Sequence, residues 1–161
     1  INQGKILNNL GENVFVKVPI TYTNGDSTLK VIQNLLAANV KLNITAIFVI
    51  DQVKEILQTV QDSETILSVF AGRIYDCGID AKKEMIDINK LIRENSKCQS
   101  LWASTRMVYD YIAAQEVRTD IITMSISHIK KLKMIGTNPK EYSLQTVKQF
   151  HEDAKSSGFK I

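Results

Sequence analysis

Residues 14–21 read VFVKVPIT, a short apolar run with Lys17 in its middle. Val14, Phe15, Val16 and Val18 suit a strand, whereas lysine is among the residues least often buried. Removing an ammonium from water without a partner is costly and tends to lower its pKa. The bland account is an edge strand whose lysine snorkels into solvent. The chemical account is Schiff-base formation. A neutral amine attacks a substrate carbonyl and loses water, and the iminium withdraws electrons from the adjacent carbon–carbon bond. A low-dielectric surround and nearby cations depress a lysine pKa and so supply the free amine.

What shares the face of that strand decides between them. Side chains alternate along a strand, so residues i and i+2 lie on one face. Asn43 and Thr45 share a face of KLNITAIF (41–48), and Ser68 and Phe70 share one of TILSVFAG (65–72), followed by Arg73. In SLWAS (100–104), Trp102 and Ser104 share a face, followed by Arg106. Core filling alone would put Val, Ile or Leu at these places. Arg73 and Arg106, with the Ser104 hydroxyl, suit a phosphate dianion. A lysine beside a phosphate clamp points to a sugar-phosphate lyase or transferase.

The elements needed to position these residues are legible as an alternation. Five short runs, at 14–20, 41–48, 65–72, 100–104 and 120–125 (DIITMS), are separated by amphipathic stretches. Leu29, Ile32, Leu35 and Leu36 repeat at helical spacing after the first run. Met85, Ile88, Leu91 and Ile92 do so after the third, with Asp80 as N-cap. Val108, Ile112 and Ala113 mark a helix after the fourth run, and Ile129, Leu132 and Ile135 another after the fifth, with Gly136 as its C-cap. A last helix is expected from near Ser143 to near Gly158, carrying Leu144, Val147 and Phe150 inward. The opening NQGKILNNLG reads as the tail of a helix before the first strand. Strand–helix alternation is the pattern of a parallel α/β sheet. From Lys17 to Thr123 the unit recurs about every 26 residues, and eight such units would make roughly 210 residues, a small (β/α)8 barrel. In that architecture the C-terminal ends of the strands carry the active site.

Composition excludes several classes. The 161-residue chain is 44% hydrophobic and 23% charged, ordinary for one globular domain. A formal charge of +3, with no basic stripe interleaved with aromatics, argues against a nucleic-acid partner. Lys130, Lys131 and Lys133 read as a solvated helix end. Cys77 and Cys98 have no metal-ligand spacing, so free thiols in a reducing, cytoplasmic compartment are expected. No run approaches a membrane span, and no signal peptide is present. His128 and His151 read as surface histidines, Phe15 and Trp102 as core layers, and the Asn43-Ile44-Thr45 sequon as meaningless within a buried strand. Cys77 reads as mildly exposed, and Asp76 as the partner of a local loop donor.

In this order VFVKVPIT, LNITAIF, SVFAGRIYDCG, WASTR and DIITMS resemble the transaldolase family, in particular the small transaldolases and the related fructose 6-phosphate aldolases. The resemblance covers nearly the whole chain. It implies a metal-free and cofactor-free class I aldolase chemistry on a (β/α)8 barrel, with residues 1–161 as the C-terminal part of one domain. By resemblance Lys17 forms the Schiff base, Thr45 holds a proton-relay water and Asn43 binds substrate hydroxyls. Ser68 contacts the dihydroxyacetone unit, and Arg73, Ser104 and Arg106 contact phosphate. Phe70 stands where the aldolase branch has a tyrosine that assists protonation. Transfer of a dihydroxyacetone unit between sugar phosphates is therefore expected over simple cleavage. Donors such as fructose 6-phosphate or sedoheptulose 7-phosphate, aldose phosphate acceptors, a place in the pentose phosphate pathway and a homo-oligomeric state are implied likewise.

The chain departs from the pattern at Val69, at Asn39-Val40 and at Arg118-Thr119, where the family carries a proline, Gly-Ile and Gly-Ala. Strands one to three, which supply the family's acid–base carboxylates, have no match here. A truncated chain is expected rather than a functional fragment, because an open five-stranded sheet exposes edges and apolar surface. Aldolase-type cleavage, a sugar-phosphate-binding protein without catalysis, and a structural or oligomerisation protein are the rival functions.

Overall fold

A computed structural model describes residues 1–158 of the chain. Five strands form one wholly parallel sheet in the order β1-β2-β3-β4-β5, each beside its predecessor in sequence. They are β1 Val16–Pro19, β2 Leu42–Ile47, β3 Ile66–Val69, β4 Gln99–Trp102 and β5 Ile121–Ile122. The helices are α1 Asn2–Asn8, α2 Leu29–Ala37, α3 Ile50–Val60, α4 Ala71–Asp76, α5 Ala81–Asn95, α6 Tyr109–Glu116, α7 Ile126–Lys131 and α8 Pro139–Ser156, with a 3-10 turn at Leu132–Met134.

The main core lies between one face of the sheet and helices α2, α3 and α5. Val16, Val18, Leu42, Ile44, Leu67, Val69 and Trp102 meet Ile32, Leu35, Val53, Ile56, Met85, Ile88 and Ile92 there. A smaller cluster of Ile66, Leu101 and Ala103, flanked by Phe15, Phe70 and Ile121, covers part of the opposite face. Burial is thus asymmetric: strand β1 alternates buried and exposed, with Lys17 on the open side.

Local chemistry explains the element ends. The Asp80 carboxylate accepts from the Lys82 amide, so α5 starts where expected. Gln52 Oε1 accepts from the Phe48 amide at 2.8 Å, which begins α3, a helix not among those expected, although Val53, Ile56, Leu57 and Val60 repeat at helical spacing and are buried. Strand β5 has only two residues and is pinned by Asp120, whose carboxylate accepts from the Ser100 amide and hydroxyl at 2.8 and 2.9 Å.

Five expectations are corrected. The third run ends as a strand at Val69, and Ala71 already begins α4, so Arg73 lies on a helix. Trp102 is fully buried on the helix side, where its indole donates to Asp110 at 3.1 Å; Leu101 and Ala103 occupy the face assigned to it. Helix α8 starts at Pro139, because Asn138 caps it by accepting from the Lys140 amide and proline suits a first helical position. Leu144, Val147 and Phe150 point outward, more than half exposed, instead of inward. His128 is half-buried, with an Nδ1 that has no hydrogen-bond partner among the described residues, so it is not an ordinary surface histidine.

Candidate active site

Sequence register places Lys17 directly opposite Asn43, and Pro19 opposite Thr45. Adjacent strands lie about 4.8 Å apart, so the lysine and the amide are lateral neighbours on one face. Asn43 is buried and its Oδ1 accepts from the Ser68 hydroxyl at 2.6 Å. That bond fixes the amide's orientation and leaves its NH2 as the donor end. Lys17 is exposed, and Thr45 is half-buried.

The C-terminal end of β2 carries an irregularity. Ile44 pairs with Leu67 but Ile47 pairs with Val69, so the strand holds one extra residue. Ala46 takes up the excess with φ 61°, a left-handed conformation that a residue with a Cβ adopts only at a cost. Bulges of this kind re-aim side chains beside functional sites. On β1 the Thr28 hydroxyl donates to the Pro19 carbonyl at 2.6 Å, tying the strand that carries Lys17 to the start of α2.

A second group of residues gathers beyond the ends of β3 and β4. Phe70 stands 5.8 Å from Phe48 between ring centroids, and the Arg73 guanidinium carbon lies 5.1 Å over the Phe70 ring. Cation–π contact of this kind orients an arginine without neutralising it. Ser104 is left-handed at φ 64°. Gly72 packs flat against it: an added Cβ would lie 1.6 Å from the Ser104 carbonyl oxygen. Only glycine permits so close an approach. Arg106 is exposed, its side chain paired with Asp76. Arg106 donates from Nε to both Asp76 oxygens at 3.1 Å. This hydrogen-bonded guanidinium holds the Asp76 carboxyl below the usual carboxylate range, with further help from the charge of Arg73.

The structure therefore brings Lys17, Asn43 and Ser68 together, and Arg73, Ser104 and Arg106 along one rim. Phe70 joins the second group as the support of Arg73. Sequence reasoning missed Asp110, which is buried and accepts from the amides of Arg106 and Met107 at 2.7 and 2.8 Å, besides the Trp102 indole. A signal was present: Asp110 shares a helical face with Ala113, Ala114 and Val117, all buried, and an acid on such a face needs donors. No group of three or more His, Cys, Asp or Glu residues suited to a metal ion occurs among the described residues. No helix among them is long and apolar enough to cross a membrane.

A parallel α/β sheet with a lysine, an amide and hydroxyls on one face, and two arginines at the rim, defines a class of protein with a polar site at its strand ends. The sequence profile of the Transaldolase/Fructose-6-phosphate aldolase family matches residues 1–161, and the chain belongs to that family. It is 31% identical over 134 residues to a probable transaldolase of Thermoplasma volcanium, covering 82% of this chain and 56% of that protein. A probable transaldolase of Nitrosopumilus maritimus is 28% identical, covering 82% and 57%. One from Bartonella henselae is 28% identical over 162 residues, covering 100% and 69%. The chain thus spans a little over half the length of the first two relatives.

Proposed function

We propose that the protein transfers a dihydroxyacetone unit between sugar phosphates through a Schiff base on Lys17. The observation that carries this reading is the lateral pairing of Lys17 with Asn43, whose amide is held by Ser68, in a chain of the transaldolase family. The five strands correspond, in this proposal, to strands four to eight of a (β/α)8 barrel, and residues 1–161 belong to one domain. Their sequential parallel order and the greater length of the relatives support it.

In the proposed reaction the Lys17 amine adds to the C2 carbonyl of a ketose phosphate such as fructose 6-phosphate, and water leaves. The iminium draws the electron pair of the C3–C4 bond, and the aldose phosphate departs as an aldehyde after its C4 hydroxyl loses a proton. The remaining enamine attacks the acceptor aldehyde, which gains a proton, and water returns to free the lysine. Thr45 holds the water that relays these protons. Asn43 and Ser68 bind the hydroxyls of the three-carbon unit. Arg73, Ser104 and Arg106 bind the phosphate. Phe70 offers no hydroxyl to protonate the enamine, which favours transfer over aldolase-type cleavage. Cytoplasmic location and self-association are parts of the same proposal, and sedimentation velocity tests the latter.

Borohydride trapping tests the reading directly. The protein is incubated with fructose 6-phosphate, reduced and digested, and the adduct is located by mass. An adduct on Lys17 that is lost in Lys17→Ala is expected. Binding of the sugar phosphate with no adduct would replace the transferase with a non-catalytic binding protein.

A further inference from the structure

The ion pair of Asp76 and Arg106 joins the end of α4 to the loop after β4, and the fold has little need of it. Its side chains are 51% and 42% exposed, and pairs this open contribute little to stability. What the pair does fix is direction. Arg106 Nε donates to both carboxylate oxygens, and Nη2 donates to Oδ2. A guanidinium has five N–H donors in a planar fork. Asp76 engages the Nε/Nη2 edge, and the terminal edge between Nη1 and Nη2 is left to donate elsewhere. The backbone of the same residue is held separately, its amide donating to Asp110.

Asp76 also belongs to a row. Phe70, Arg73 and Asp76 follow at intervals of three, so they lie along one side of a short helical segment. Phe70 supports Arg73, and Asp76 grips Arg106. The carboxylate is paired with Arg106, and its charge also acts on Arg73 along the same row, which offsets the repulsion between the two cations when no anion is present.

We infer that Asp76 is a positioning residue for anion recognition: it holds Arg106 so that the free edge of the guanidinium faces a phosphate group lying between Arg106 and Arg73. The identity of the anion rests on the proposed sugar-phosphate reading; the geometry does not require the Schiff-base chemistry.

The test uses the full chain, with inorganic phosphate as probe and the arginine Nε–H resonances as readout, alongside steady-state kinetics. Asp76→Asn should weaken phosphate binding and raise KM for fructose 6-phosphate about tenfold, the loss of one charge-assisted hydrogen bond. It should leave kcat, and turnover of unphosphorylated fructose, within about twofold. Asp76→Glu should recover part of the loss. Adding Asp76→Asn to Arg106→Ala should cost nothing more, because the route through Arg106 is already gone. Phosphate binding by Asp76→Asn as tight as in the wild type, or tighter, would overturn the role, as would an equal loss in the Arg106→Ala background. A wild type that binds phosphate through Arg106 but transfers nothing would sink the transferase and leave the role of Asp76 standing. A wild type that binds no phosphate would overturn that role.

Discussion

Gly72→Ala perturbs the contact that sets the two arginines relative to each other. The new Cβ would lie 1.6 Å from the Ser104 carbonyl oxygen and 2.7 Å from its carbonyl carbon, both backbone atoms that cannot rotate away. Real Cβ atoms essentially never come closer than 3.0 Å, so α4 and the Ser104 loop must separate by at least about 1.4 Å, as in other overpacked sites. Overpacking of this kind typically costs about 1–3 kcal/mol, which for a chain of this size is roughly 2–12 °C in Tm. The larger effect is on geometry. Arg73 rides on α4 and Arg106 on the displaced loop, and a misplacement of about 1 Å can lower turnover about a hundredfold. The assay pairs a denaturant melt with KM for fructose 6-phosphate. Gly78→Ala is the control: Gly78, unlike Gly72, is left-handed, at φ 74°, and has nothing within 4 Å of its added Cβ. It should lose stability and keep KM. A Gly72→Ala variant with wild-type melting and wild-type KM would refute the packing argument.

Further expectations follow from the same residues. Asp110→Ala strips the acceptor from three donors, each worth about 1–3 kcal/mol if left buried and unmet, and a urea melt should show a loss of several kcal/mol. Phe70→Tyr should raise the ratio of cleavage to transfer in a coupled assay; an unchanged ratio would count against the role given to that ring. Burial pushes the Cys98 thiol up, against hydrogen bonds involving Ser96 and Thr65. A raised folded-state pKa means its contribution is fully present below the unfolded value and is lost as pH rises through the folded one. Stability should therefore fall on the alkaline side at this residue. Iodoacetamide at about pH 8 should label exposed Cys77 in the native protein, and Cys98 only after unfolding.

The sheet was readable because β1 to β4 are β-branched or apolar runs set between helices with a clear apolar stripe. Alternation pairs Asn43 with Thr45 and Ser68 with Phe70 within their strands, and the register and the Ser68–Asn43 bond set them beside Lys17. The rim was less legible. Where a strand stops depends on loop bonds, such as that from the Gly72 amide to the Ala103 carbonyl, which no periodicity announces. The end of the third run at Val69 instead of residue 72, which puts Arg73 on a helix, is of that kind. Trp102 was misassigned because alternation gives two faces but not which one meets the helices. Its indole needed an acceptor, and Asp110 on α6 supplies it. The outward stripe of α8 has helical spacing, and spacing alone does not say that a partner surface lies against it.

The sequential order of the strands has a consequence for how the chain is made. Every strand docks on the one synthesised just before it, and partners such as Lys17 and Asn43 are one strand–helix unit apart. Closing a loop of about 25 residues costs little more than closing a shorter one. The sheet can therefore grow from one edge as the chain leaves the ribosome, each new strand meeting a template already in place. Assembly in that direction lays down the lysine first, then the amide and hydroxyl that flank it, and the Ser104–Arg106 loop late. A nascent chain halted between β3 and β4 would hold its nucleophile in register while lacking the loop that completes the clamp.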